Sequence, residues 1–95
     1  MKLWIDDIRP ASSGFIWVKS VNEAKQIILS NEADIEMIDI DHDAGEYAKD
    51  GGDYIKLLDW LEEIGRKFTI HIHSMNPVGM ENMRRIIKKN GWKEV

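Results

Sequence analysis

Ile35-Glu36-Met37-Ile38-Asp39-Ile40-Asp41-His42-Asp43 is the stretch that decides the fold. Ile35 to Asp41 reads as a short strand that ends on clustered charge, as a buried strand does when it emerges at a polar edge. Other segments have the same form. Lys2 to Asp6 is an apolar run closing on Asp6 and Asp7, and Phe68 to His73 is a strand followed by Ser74. Phe15 to Val18 is aromatic and β-branched and reads as a second strand, and Trp92 to Val95 leaves room for a brief last one.

Helical signals fill the intervals. Ser20 and Glu23 form a capping box, and Val21, Ala24, Ile27 and Ile28 mark an amphipathic helix over 21–30. Tyr54, Ile55, Leu57, Leu58, Leu61 and Ile64 repeat at helical spacing over 53–65, and Gly65 sits where a C-cap glycine belongs. Asn76 and Pro77 serve as N-cap and first residue of a helix over 77–90. Residues 8–14 and 42–52 are loops by their glycine, serine, proline and charge content. Strands alternating with helices predict an α/β domain with a parallel sheet, whose working site lies outside the carboxyl ends of the strands. Asp6-Asp7, Asp41-His42-Asp43 and His73-Ser74 all fall at that edge.

Composition narrows the chemistry. The 95 residues make one domain, 1–95, with no cysteine, so a metal would be held by oxygen or imidazole. A net charge of −4 gives no general affinity for nucleic acid. No apolar run is long enough to span a bilayer and no signal segment precedes Asp6, which predicts a soluble cytoplasmic protein.

Side chains two apart on a strand share a face, so Asp39 pairs in position with His71 and Asp41 with His73 if the third and fourth strands are neighbours. The Asp39–His71 pair is expected to be the deeper one, between covering helices, with His73 open to a ligand. Crowded Asp6, Asp7 and Asp41 must hold a proton or bind a cation, with Asp43 assisting. Hard oxygen donors suit Mg²⁺ or Mn²⁺, and imidazole would also admit Zn²⁺ or Fe²⁺. Ser74 and the amides after Asn76 are placed to bind phosphoryl oxygens. The basic residues Arg84, Arg85, Lys88 and Lys89 read as a solvated helix face, and Trp4, Trp17, Trp60 and Trp92 as core.

Ile5-Asp6-Asp7, Asp41 and Ser74 resemble the acid, phospho-acceptor and hydroxyl positions of the response-regulator receiver domain. Two features depart from it: the lysine of the fifth strand's end has no counterpart beyond Lys93, and the first helix is reduced to a loop. Leu3 to Pro10, Asp41 to Gly45, and His73 to Gly79 with Asn82-Met83 are more closely similar to the cyclic-phosphate-processing receiver domain. That resemblance implies a three-layer, flavodoxin-like sandwich of five parallel strands in the order 2-1-3-4-5, with first and last helices reduced or absent. It further implies a metal-assisted phosphoesterase acting on cyclic phosphates of RNA ends or nucleotides. Asp6, Asp7, Asp41 and Asp43 would then hold Mg²⁺ or Mn²⁺, and His73 would act as general base or acid. Arg9 would neutralise developing charge, and Ser74 and Asn76 would bind phosphate. The rival readings are a signalling module phosphorylated on Asp41 and a non-catalytic adaptor that docks through its acidic edge.

Overall fold

The computed structural model describes residues 1–95, apart from the side chain of Glu32. Strands β1 (Lys2–Ile5), β2 (Phe15–Val18), β3 (Met37–Ile40), β4 (Thr69–Ile72) and β5 (Lys93–Glu94) pair in parallel in the order β2-β1-β3-β4-β5. Helices α1 (Val21–Ser30), α2 (Ile55–Ile64) and α3 (Pro77–Asn90) connect them, with 3₁₀ turns at Glu32–Asp34 and Gly45–Asp50. β2 has the predicted bounds and the other four strands are shorter than the sequence predicts, but the ladder runs one residue past β1, β3 and β4. Asp6 N–H donates to the Val18 carbonyl, Asp41 N–H to that of Ile5, and His73 N–H to that of Ile40. The alternation of faces therefore persists to the carboxyl edge.

Local chemistry accounts for the helix ends. Ser20 Oγ accepts from the Glu23 amide, and Glu23 Oε1 accepts from the Lys19 amide, one residue before the expected reciprocal partner. Asn76 Oδ1 accepts from the Gly79 amide at 2.9 Å with Pro77 opening α3. Gly65 and Gly91 close α2 and α3 in the left-handed conformation, which costs glycine nothing. The predicted loop over 42–52 contains the 3₁₀ turn Gly45–Asp50 instead of being wholly irregular.

The sheet has two unlike faces. Leu3, Ile5, Val18, Ile38, Ile40, Ile70 and Ile72 point to one side and join the buried residues of all three helices in a single core. Helix α2 packs beside both α1 and α3, so the helices form one layer. The other face carries Lys2, Trp4, Phe15, Trp17, Met37, Asp39, Thr69 and His71. The helices that would cover it are the first and last, and among the described residues neither is present. The connection from β1 to β2 is a loop pinned by two indoles: Trp4 Nε1 donates to the Arg9 carbonyl at 2.9 Å and Trp17 Nε1 to the Asp6 carbonyl at 2.8 Å. The three-layer plan thus retains one helical layer.

Candidate functional site

Asp6, Asp41 and His73 have the same side-chain parity as Trp4, Asp39 and His71, so they meet on the open side of the sheet at its carboxyl edge. One ligand atom from each lies within 4.8 Å of the other two. His73 is the hub. Its Nδ1 is 2.5 Å from Asp39 Oδ1, and its Nε2 is 2.9 Å from Asp6 Oδ2. The ring lies flat against Trp4, with centroids 3.9 Å apart and planes 8° from parallel. A histidine bonded to a carboxylate through each nitrogen is satisfied in both bonds only as imidazolium, because both nitrogens must donate. Burial by itself lowers the His73 pKa, but hydrogen bonds and attraction from Asp39 and Asp6 outweigh it and the net shift is upward. The indole face adds a cation–π contact to the charged form.

Asp6 is 1% exposed and fully engaged. Oδ1 accepts from the amides of Ile8 and Arg9, both at 2.9 Å, which turns the chain sharply after β1. Burial pushes its pKa up, yet the Arg9 and Ile8 amides and His73 bring it below the usual carboxylate value. Asp39 follows the same logic: desolvation opposes ionisation, and the bonds from His73 and His71 reverse it. Asp7 is the exception. Its desolvation, with repulsion from Asp6 and Asp41, exceeds the effect of its backbone hydrogen bond and raises its pKa.

The structure divides the expected ligand set. Asp6 and Asp41 converge with His73, whereas Asp7 has the opposite parity and turns toward Gly45. A Cβ on Gly45 would lie 2.3 Å from Asp7 Oδ2, so only glycine allows this approach. Asp7, Ile8, Gly45, Glu46 and Tyr47 line a shallow cleft of about 330 Å³ beside the cluster. Asp43 is paired at 2.8 Å with His42 Nδ1. Two carboxylates and an imidazole suit a hard divalent cation. An ion held by Asp6 and Asp41 would draw Asp6 away from His73 Nε2 and leave that N–H free to face a ligand.

The histidines exchange the depths expected of them. His73 side-chain exposure is 9% and that of His71 is 43%. The expectation assumed helices over both faces. Without a helix on this side, His71 is the more exposed of the two, while Asp6 and Trp4 pack against His73. The Asp39–His71 bond is present at 3.0 Å, but Asp39 also holds His73. Trp4, read from sequence as core, is instead the half-buried platform beneath His73.

Around the α3 N-terminus, Ser74 Oγ accepts from the Asn76 amide at 3.1 Å, and Asn76 caps Gly79. Pro77 has no N–H, so of the first-turn amides these pairings leave that of Val78 to meet an anion. The Ser74 hydroxyl proton is still free to point outward. Arg9 is exposed, anchored through its backbone. His42 was given no role from sequence. It sits 15% exposed against the backbone of Gly79, where a Cβ would approach its ring to 2.5 Å, with Asn76 Nδ2 3.5 Å from Nδ1. The signal was available: a glycine in the first turn of a helix marks a close approach.

The fold and this edge define a receiver-like α/β domain whose carboxyl-edge acids surround a histidine. A family model, the cyclic-phosphate processing receiver domain, matches residues 1–89, and the chain belongs to that family. No curated protein and no solved structure matches the chain. Among the described residues, no helix is long and apolar enough to cross a membrane.

Proposed function

We propose that the domain is a metal-assisted phosphoesterase that opens cyclic phosphates on RNA ends or nucleotides. The observation that carries this reading is the convergence of Asp6, Asp41 and His73 beside Ser74 and the start of α3. Asp6 and Asp41 would hold Mg²⁺ or Mn²⁺, with Asp7 and Asp43 at the margin. The bound cation would supply charge stabilisation at phosphorus and a more acidic water.

In ring opening, water adds to phosphorus, one ring P–O bond breaks, and the departing sugar oxygen takes up a proton. His73 is suited to give that proton, because Asp39 and Asp6 raise its pKa against the effect of burial and so favour its charged form. Asp39 fixes the ring through Nδ1, and the Trp4 face prevents its rotation. The proton released by water passes to a carboxylate at the edge, for which Asp41 is the candidate. The Ser74 hydroxyl and the Val78 amide would hold non-bridging oxygens, and Arg9 would reach over from the β1–β2 loop.

The test is multiple turnover of a panel of cyclic nucleotides and cyclic-phosphate-ended oligonucleotides with Mg²⁺ and with Mn²⁺. Asp41→Asn should lower the rate by about 10²-fold or more while leaving the fold intact. Absence of turnover, with stoichiometric phosphorylation of Asp41 by a small phosphodonor in intact-mass measurements, would replace this reading with a signalling switch.

A further inference from the structure

We propose that the open face of the sheet is a binding platform for single-stranded RNA. The two faces differ in residue type as well as in cover. On the helical side every buried strand residue is aliphatic, whereas the three strand aromatics, Trp4, Phe15 and Trp17, lie on the open side. Cations lie there too. Lys2 Nζ is 5.5 Å from the Phe15 ring centroid and Lys19 Nζ is 4.4 Å from that of Trp17, while Lys93 pairs in register with Thr69 of the same face. The acid among these strand residues, Asp39, is hydrogen-bonded to both His71 and His73. Three lysines of a chain of net charge −4 thus lie on the sheet face that no helix covers among the described residues, with Asp6 and Asp41 at its carboxyl edge.

Charge complementarity selects the occupant. A packing helix would need aliphatic cover, and this face offers rings and lysines. A polyanion carrying flat, hydrophobic bases fits both: rings stack bases, and lysines on flexible stems swing to phosphates. A sheet with half-buried aromatics on its open face reads splayed bases, which a duplex does not present. The face is also continuous with the candidate site. His73 stacks on Trp4, and Trp4 meets Phe15 edge-on with ring centroids 6.1 Å apart, beneath Lys2. A strand lying along this row would bring its end to the carboxyl edge. That last link rests on the proposed function; binding of the strand does not.

The experiment is fluorescence anisotropy of a labelled single-stranded RNA octamer with an ordinary 3′-hydroxyl, in EDTA, so that neither metal nor ring opening enters. Matched single-stranded DNA and duplex RNA form the other arms. The wild-type chain should bind the single-stranded RNA more tightly than the duplex, and binding should weaken as salt rises. Lys2→Glu/Lys93→Glu should weaken it by about tenfold or more, with circular dichroism unchanged. Phe15→Ala should weaken it by about fivefold or more through lost stacking. Arg85→Glu/Lys88→Glu, a charge reversal on the exposed side of α3, should change it by less than about twofold.

The proposal is overturned if single-stranded RNA does not bind at low salt, if duplex binds equally well, or if the α3 reversal abolishes binding while Lys2→Glu/Lys93→Glu does not. Tighter binding of DNA than RNA would reassign the ligand. Self-association in sedimentation that Phe15→Ala abolishes, without RNA binding, would assign the face to a second copy of the chain. Binding that persists when no cyclic phosphate is turned over would sink the enzymatic reading alone.

Discussion

The helical and open faces of this sheet come from the same strands, residue by residue in alternation, yet they obey different physics. Ile40 and Ile72 are buried against helices, where burial of apolar area and close packing determine the choice of residue. Asp39 and His71, their neighbours in sequence, face a side with no helix and are held by a hydrogen bond between carboxylate and imidazole. Covering one face leaves the other free to carry ionisable and aromatic side chains. The functional edge grows out of the uncovered side.

The sharpest break of this comparison is at His73. His73→Ala would leave Asp6 and Asp39 buried without their shared cation, at a cost of about 3–5 kcal/mol. His71→Ala removes an exposed partner from a carboxylate that His73 still holds, and should cost below about 1 kcal/mol. Urea unfolding of both variants measures the difference. Equal losses would mean that the two histidines support Asp39 alike.

A core truncation tests the other face. Ile40→Ala should cost about 2–5 kcal/mol by transfer and cavity terms together. Met37→Ala, half-buried on the open side, should cost less than half as much in the same measurement. If the two costs matched, the open face would be covered in solution, by a second copy or another segment.

A smaller effect is expected at Gly79→Ala. An exchange from glycine to alanine within a helix ordinarily gains up to about 1 kcal/mol. Here the new methyl meets the His42 ring, so the sign reverses to a loss of about 1–3 kcal/mol. The His42 ring resonances in NMR should shift as the ring is displaced. A stabilised variant with unmoved resonances would show that the ring has room.

The gentlest probe is pH, in EDTA. His73 has its folded pKa raised above 6.5, so its contribution is complete below that unfolded value and is lost as pH rises through the folded one. Asp6 and Asp39 have theirs depressed below 3.8, so their contribution is present above that value and lost as pH falls through the folded ones. Stability should therefore be greatest between about pH 4 and 6.5, with slopes of at most about 1.4 kcal/mol per pH unit for each proton. His73→Gln should flatten the alkaline limb. An unchanged alkaline limb in that variant would assign it to another group.

Much of this molecule was legible in its sequence because the signals are local. Capping at Ser20 and Asn76, the C-cap glycine at 65, and helical periodicity fixed the helices to within two residues at either end. Short runs ending on acids located the strands and their functional edge, and period-two spacing placed Asp39 opposite His71. That the first and last helices are absent among the described residues agrees with the family resemblance. Tertiary structure alone decided how deep each residue of the uncovered face lies, because depth there is set by loops and rings distant in sequence. For this reason His73 proved buried and His71 exposed, Trp4 became the platform of a charged ring, and Asp7 turned from the cluster toward Gly45. Spacing determines which face a residue takes; only packing determines whether that face meets protein or water.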